Sequence, residues 1–549
     1  MSATSTSGTP SAPGAASVRN ILSVNFNHDG SAVVLSEGRI RGYVTTERLS
    51  RVKKHPGLRA SDLADLLDQA GLEPADLDHV MLCNLHLMDS PDVVRLHGSD
   101  LKETWFEFWV NQRNTVVDID GHRIPCTVNP DHHLIHAATA YFTSPFASAV
   151  ALAVDPTGCR AFLGRDNRLY PLRRDYDRWF NANVGYCSVS ELLFGSSIVG
   201  AGKVMGLAPY GRPTADVAPP EDLVDFGQLV RFAERAPVRV QVGRRSLNAA
   251  LAYYIQLGLE RQLAAVFADL VPICDRTGTG RDICLSGGTA LNAIATQLAF
   301  AGSGFERIHF HPACGDDGTA IGAALWYWHH VLGNPRLPHD NAGLMYSVRT
   351  YDRRAVERAL AAHADRLVVE SVSDYVGKTA ELLAGGAVVG WWDGAGEVGP
   401  RALGHRSILA DPRDPGMRDR LNARVKFREH FRPFAPSVLN ERSTEWFGLR
   451  DSPFMLRAAP VRRPAEVPAI NHVDGTARLQ TVSRPDNPAF YDLIAAFEER
   501  TGIPMVLNTS LNTKGEPIVE TPADAVRTLL TCELDYLVLP HTLVGRRGA

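Results

Sequence analysis

The chain has 549 residues, a formal charge of −4, 45% hydrophobic residues and 21% charged residues. That length allows about two to four domains with a large core, and the balanced charge argues against nucleic acid as the main partner. No apolar run reaches the ~18 residues of a membrane span, so no membrane partner is expected, and eight scattered cysteines without a CxxC pair read as reduced thiols of a cytoplasmic protein.

The first 18 residues are rich in Ser, Ala, Gly and Pro and read as a disordered tail. Ile21–Phe26, Ser31–Leu35 and Arg39–Val44 read as three strands, joined by the turns Asn27-His28-Asp29-Gly30 and Glu37-Gly38. Helix Ala60–Ala70 and strand His79–Leu85 follow. The aromatic stretch Trp105-Phe106-Glu107-Phe108-Trp109, within Asp89–His122, suits core or a homodimer interface, or else an acceptor pocket. In Asn129–Ala137, His132 and His136 are four apart, so a helix would present both imidazoles on one face. Such a pair can cap or pack a helix. Joined by carboxylates such as Asp155 and Asp316, it can instead hold Fe²⁺, Mn²⁺ or Zn²⁺.

A second three-stranded unit spans Ala147–Val154, Cys159–Leu163 and Leu169–Leu172, with Asp155 at its first turn. Two meanders of one pattern predict a duplicated α/β lobe, an arrangement that resembles the actin, sugar kinase and Hsp70 superfamily. Gly200–Gly211 reads as a glycine-rich loop carrying Lys203 near a ligand. Helical patterns cover Arg244–Leu270. Strand Asp282–Ser286 runs into Gly287-Gly288 and Asn292, which predicts a backbone anion site at a helix start, or else a tight packing turn. Asn334–Asn341 reads as a linker, and a second domain is expected from about Ser347. There helices Arg353–His363 and Tyr375–Leu383 and strand Ala387–Trp392 precede loops bearing Arg401, Arg406, Lys426, Arg428, Arg432 and Arg478. Arginines set among Gly, Pro and apolar residues predict a partly buried anion pocket.

Several motifs together resemble the O-carbamoyltransferases of antibiotic and nodulation-factor biosynthesis. They are His28-Asp29-x-Ser31-Ala32, His132-His133-Leu-Ile-His136-Ala, Gly202-Lys203-Val-Met-Gly-Leu-Ala-Pro-Tyr-Gly211, Gly287-Gly288-x-Ala-Leu-Asn292, Asp316-x-Gly-Thr-Ala-Ile-Gly322, Gly399-Pro-Arg-Ala-Leu-Gly-x-Arg-Ser-Ile-Leu-Ala-Asp-Pro-Arg413 and Asn508-Thr-Ser-Leu-Asn512. The resemblance covers about Ile21 to Leu539. It implies an actin/Hsp70-like, Kae1-like carbamoyl-transfer domain over 19–346 and a YrdC-like α/β domain over 347–549. It also implies that carbamoyl phosphate and ATP, with Mg²⁺, form carbamoyl-adenylate in the second domain. The carbamoyl group then passes to a hydroxyl of a natural product, such as a glycosylated macrolide or polyketide, in the first.

By matching positions, the resemblance places Arg401, Lys426, Arg432, Arg478, Ser510, Asn508 and Asn512 in the adenylate-forming pocket. It places His132, His136, Asp155 and Asp316 on iron, with Mn²⁺ or Zn²⁺ allowed by ligand type. Gly287, Gly288 and Asn292 would hold the nucleotide, with Lys203 beside it. His28 is expected either as general base toward the acceptor or as a brace of its own turn. Two positions depart from the family pattern: Ala395 stands where Arg is usual, and His405 where Asn is usual. A tRNA threonylcarbamoyl-adenosine enzyme and a non-enzymatic nucleotide-binding regulator are the alternatives. The charge argues against the first, and the second anion pocket against the other.

Overall fold

The computed structural model describes residues 18–84, 116–129, 131–212, 240–242, 245–247 and 249–548. Trp105, Phe106, Phe108, Trp109 and the proposed tail lie outside them, apart from Val18.

The first half holds two sheets of one plan. Strands β1 (Asn20–Asn25), β2 (Ser31–Ser36) and β3 (Arg39–Thr45) form an antiparallel meander, and β4 (His79–Cys83), β5 (Val116–Ile119) and β6 (His122–Asn129) extend it in the order β3-β2-β1-β4-β6-β5. In the second lobe β7 (Ser148–Asp155), β8 (Gly158–Arg165) and β9 (Arg168–Pro171) form the meander. A short hairpin, β10 (Val240–Val242) and β11 (Arg245–Leu247), precedes β12 (Asp282–Ser286) and β13 (Arg307–Phe310). That sheet runs β13-β12-β7-β8-β9. In both lobes the first meander strand also pairs in parallel with the next strand of the sheet, β1 with β4 and β7 with β12. These inner strands are buried along nearly their whole length, as expected of strands covered on both faces. The duplicated α/β lobe is therefore present.

Helices His132–Thr143 and Thr319–Trp326 follow β6 and β13 and pack on one another between the lobes. Small residues permit this. A Cβ at Gly322 would overlap Ile135 O and Thr139 Oγ1 on the facing helix. Each helix begins at the carboxyl end of its sheet, so the two starts, carrying His132 and Asp316, meet where the lobes face each other.

The second half is one nine-stranded sheet. Its strands are β14 (Leu367–Ser371), β15 (Val389–Trp392), β16 (Arg406–Ala410), β17 (Ala435–Leu439), β18 (Arg457–Pro460), β19 (Thr476–Val482), β20 (Met505–Ser510), β21 (Tyr536–Leu539) and β22 (Thr542–Arg546), in the order β14-β22-β21-β15-β16-β20-β17-β19-β18. Helices Tyr375–Ala384 and Pro488–Thr501 pack together over its core. Ser347 lies between the stretches that build the two halves.

Buried side chains tie the halves together. Arg48 donates to Gly399 O at 2.8 Å, Arg51 to Ile518 O at 2.7 Å and to Pro517 O at 2.9 Å, and His472 Nε2 lies 3.1 Å from Gly206 O.

One element corrects the sequence reading. Gly200–Gly211 is not a loop. Residues Ala201–Leu207 are α-helical and Ala208–Gly211 form a 3-10 turn. Its two end glycines serve packing: a Cβ at Gly200 would overlap Ser190 Oγ, and one at Gly211 Ala249 O. The long helix that follows runs Ala249–Thr277.

Candidate active site

Asp131 caps helix His132–Thr143, its side chain accepting from Leu134 N at 3.0 Å. The helix therefore starts at His132, and His136 lies one turn on. His132, His136 and Asp155 each place a ligand atom within 4.8 Å of the others. The two Nε2 atoms are 3.2 Å apart, and His132 Nε2 is 2.7 Å from Asp155 Oδ2. Asp316 Oδ1 joins them at 3.2 Å from His136 Nε2 and 3.7 Å from His132 Nε2. Three of the predicted ligands thus converge, with Asp316 beside the two imidazoles.

Their partners explain the orientation. His132 Nδ1 faces Asn84 Oδ1 at 2.7 Å, so Nδ1 carries the proton and Nε2 points its lone pair inward. Asp155 Oδ1 accepts from Thr157 N and Oγ1 at 2.7 and 2.6 Å, and His133 Nε2 lies 3.4 Å away. Asp155 Oδ2 is buried without an aligned hydrogen bond. Buried lone pairs from two imidazoles and two carboxylates aimed at one region fit a divalent cation. Burial and the nearby His132 lower the pKa of His136, keeping it neutral. Burial opposes ionisation of Asp316, yet the neighbouring imidazoles of His136, His132 and His28 hold its pKa at about 2.

His28 reaches the same place from the first hairpin turn. Its Nε2 is 3.6 Å from Asp316 Oδ2 and its Nδ1 3.2 Å from Asp29 Oδ2. Lys54 also holds Asp29 Oδ2, at 2.5 Å. Asn27 Nδ2 donates to Asp316 Oδ2 at 2.9 Å. Asp29 and Lys54 both have left-handed backbones, φ 61° and 60°, and such outliers gather at functional sites.

Gly287 is pressed against β7, where a Cβ would overlap Val154 O, and its φ of 92° suits glycine. Beyond a Cβ at Gly288 there is only open space. Asn292 is committed elsewhere: it caps helix Ala293–Ser303 and bonds Gln256 at 2.8 Å. An apolar recess of about 540 Å³ lies between Pro156, beside Asp155, and helix Ala182–Phe194, where Val184, Cys187, Ser188, Glu191 and Leu192 line it.

The second half has a different site. Arg401, Arg428, Arg432, Arg478 and Lys426 surround one region, and burial followed by mutual repulsion pushes the pKa of Arg478 and Arg428 well down. The Nε atoms of Arg401 and Arg478 are buried without hydrogen-bond partners. Glu429 is the nearby carboxylate, 3.9 Å from Arg432 Nη1 and 3.0 Å from Lys203 Nζ. Lys203 is thus ion-paired across the halves rather than lying in a glycine loop. Lys426 donates to Ser510 O at 2.7 Å, Asn512 O at 2.9 Å and Asn512 Oδ1 at 2.5 Å. Asn508 donates to Ser437 Oγ at 2.9 Å. Lys426, Ser510, Asn512 and Asn508 are therefore bonded to one another and to their neighbours, while Arg401 and Arg478 keep buried Nε groups without hydrogen-bond partners. Arg406, fully buried, bonds Asp393 O and Gly394 O and stacks on Trp392, so it holds a loop.

Residues 20–325 match the family model described as carbamoyltransferase N-terminus, and residues 380–546 the one described as carbamoyltransferase C-terminus. The chain belongs to the carbamoyltransferase family. The nodulation protein NolNO of Sinorhizobium fredii is 36% identical over 561 residues, covering 95% of this chain and 80% of that protein. The nodulation protein NolO of Bradyrhizobium diazoefficiens is 38% identical over 443 residues, covering 76% of this chain and 79% of that protein. Among solved structures, component A of the Acidaminococcus fermentans (R)-2-hydroxyglutaryl-CoA dehydratase shares 12% identity at a TM-score of 0.34, covering 57% of this chain and all of that one. The HypF protein of T. kodakarensis shares 14% at a TM-score of 0.32, covering 58% of this chain and 48% of that one.

The carbamoyltransferase has contacts at its two departing positions. His405 Nδ1 lies 2.7 Å from Ala395 O, and its ring stacks on Tyr346 at 3.8 Å. Glu397, which begins the Glu-Val-Gly-Pro-Arg run, accepts from the backbone of Leu403, His405 and Arg406 at 3.0, 2.9 and 2.7 Å. It shapes the loop that carries Arg401.

Sequence reasoning missed Asn84, Asn27, Thr157, Lys54 and the pairing of Lys203 with Glu429. Asn27 and Thr157 sit in turns already singled out, so adjacency could have found them. Asn84 and Lys54 come from other segments, and only the fold brings them in. Among the described residues no helix is long and apolar enough to cross a membrane.

Proposed function

We propose that this carbamoyltransferase makes carbamoyl-adenylate from carbamoyl phosphate and ATP in the basic pocket, then transfers the carbamoyl group to a hydroxyl of a small-molecule natural product beside His132, His136, Asp155 and Asp316. The observation that carries the reading is the pairing of two chemically opposite sites in one chain: a counterion-poor arginine pocket, and a buried cluster of inward lone pairs.

Balance fixes the steps. Carbamoyl phosphate loses its phosphoryl group to one water as phosphate, leaving carbamate. A carbamate oxygen attacks the α-phosphorus of ATP and pyrophosphate leaves. The acceptor oxygen then attacks the carbamoyl carbon, the bond to the adenylate oxygen breaks, and AMP leaves with the electron pair. Arg401 and Arg478 would bind the phosphates and the charge that grows during transfer. Mg²⁺ would accompany ATP.

In the first half, His132, His136, Asp155 and Asp316 would hold the metal, Fe²⁺ in our reading. When bound, it would supply Lewis-acid polarisation of the carbamoyl oxygen. His28, oriented by Asp29, would take the acceptor proton at Nε2. Gly287 and Gly288 would let the nucleotide approach the backbone closely. Water would have to be kept away, because the adenylate is a reactive mixed anhydride.

The test is incubation with carbamoyl phosphate, α-labelled ATP and Fe²⁺, followed by a mass-shift screen of hydroxylated natural products. Pyrophosphate release that depends on carbamoyl phosphate, together with a carbamoylated product, is expected. Pyrophosphate release without carbamoyl phosphate, or none at all, overturns the reading.

A further inference from the structure

The loop that carries Arg401 is held from the first half of the chain. Gly399, just ahead of Arg401, has a φ of 87°, and a Cβ there would overlap Pro312 O in the stretch leading to Asp316. Val398 N donates to Met345 O at 2.7 Å. Arg48 adds a third hold: its Nη2 donates to Gly399 O at 2.8 Å. Arg48 sits in the short helix Thr46–Ser50, which is itself tied down. Thr46 N donates to Gly30 O at 2.9 Å and Thr46 Oγ1 to Gly57 O at 2.6 Å, so the helix is laced onto the turn that carries His28.

The Arg48 guanidinium is only 5% exposed, and its other nitrogen, Nη1, lies 3.7 Å from Glu520 Oε2 of the second half. Arg48, Glu397 and Glu520 line one small cavity of about 10 Å³, room for about one water molecule. Arg48 Nη1, Glu397 Oε2 and both Glu520 oxygens are buried without hydrogen-bond partners. Such a buried ion pair adds little net stability, because desolvation offsets the attraction. What it fixes is direction: the charge facing Glu520 keeps Nη2 on Gly399 O. Pro400 then removes one backbone torsion between that carbonyl and Arg401.

We propose that Arg48, supplied by the first half of the chain, is a positioning residue for adenylate formation: its hold on Gly399 O sets the direction in which Arg401 enters the basic pocket of the second half. This rests on the function proposed above, in which Arg401 binds phosphate. The Nε of Arg401 is buried without a hydrogen-bond partner, so the backbone beneath the side chain has to aim its fork. A guanidinium–phosphate pair gains its strength from two aligned bonds and loses it when the fork is misdirected. Lysine at position 48 could not replace the arginine fully, since one ammonium cannot serve Gly399 and Glu520 with separate, fixed nitrogens.

The experiment measures pyrophosphate release by the full chain against carbamoyl phosphate concentration at saturating ATP. Arg48→Met is made together with Glu520→Gln, so that neither group is left as an unpaired buried charge, and Glu520→Gln alone is the reference. Both proteins are also made with Arg401→Ala. Relative to the reference, the KM for carbamoyl phosphate should rise about tenfold on Arg48→Met, the loss of one hydrogen bond from a charged donor. With Arg401→Ala present the same change should alter KM less than about twofold, because the effect passes through Arg401. An equal rise with and without Arg401 overturns the proposal. So does an unchanged KM, including a fall in kcat at constant KM, which marks a loss of folded enzyme. If the Arg48→Met protein shows no cooperative thermal transition, Arg48→Lys carries the same comparison, with a smaller rise expected. Absence of carbamoyl-phosphate-dependent pyrophosphate release in the wild type would instead sink the function itself.

Discussion

The two sites solve opposite problems of buried charge. In the first half nearly every polar atom around the cluster has a partner: Asn84 holds His132, Thr157 holds Asp155, and Asn27 holds Asp316. Only the inward lone pairs are left over. In the second half the walls are braced by Lys426 with Ser510 and Asn512, but the guanidiniums of Arg401 and Arg478 keep unpaired N–H groups and repel one another. A preorganised ligand set wants a cation; a counterion-poor arginine cluster wants an anion. Under the proposed function, this architecture would separate making an activated anhydride from using it.

Replacing His136 by alanine removes a ligand and is the strongest way to break this division. Product formation should drop at least ~100-fold, beyond what loss of a supporting residue causes, with bound iron lost by elemental analysis. Pyrophosphate release should persist, and an equal fall in both activities would mean that the sites are not separate. Arg478→Ala attacks the other side. Carbamoyl-phosphate-dependent pyrophosphate release should fall about 10²-fold or more, while iron content stays at the wild-type level. Asn84→Ala leaves every ligand in place but frees the His132 ring. Iron affinity should weaken ~10–100-fold, read by competition with a chelator.

Acid should distinguish the halves in a milder way. His79 and His329 have pKa values lowered to about 4, and His309 and His311 to about 3, from 6.5, all by burial first, and all four lie in the first half. At these four positions the folded state therefore binds fewer protons than the unfolded one below pH 6.5. Stability is lost as pH falls from about 6.5 toward these values. By pH 5 each such histidine costs roughly 2 kcal/mol. Urea midpoints at pH 7 and pH 5, followed by proteolysis of each half, should show the first half unfolding earlier at the lower pH. Equal sensitivity of both halves would contradict the assignment of these histidines.

The duplication was legible because strand alternation and turn residues are local, and both meanders repeat them. His132 and His136 were legible as a pair because helical spacing alone puts them on one face. Asp155 and Asp316 could be linked to them only through the family resemblance, since nothing local joins residues so far apart. The Gly200–Gly211 reading failed for a physical reason. A glycine-rich stretch looks like a flexible loop, but here Gly200 and Gly211 at its two ends sit tightly against neighbouring residues, and the chain between them is helical despite low propensity.

Residue types and spacing determined by themselves the α/β class, the repeated lobe and the pairing of His132 with His136, because those depend on neighbours a few positions away. Only the tertiary structure decided which polar groups are spent and which are left over. Asn292, Lys426 and Lys203 proved to be engaged, while the Nε groups of Arg401 and Arg478 are not. That distinction depends on partners brought in from distant segments, whose approach is set by packing of the whole chain.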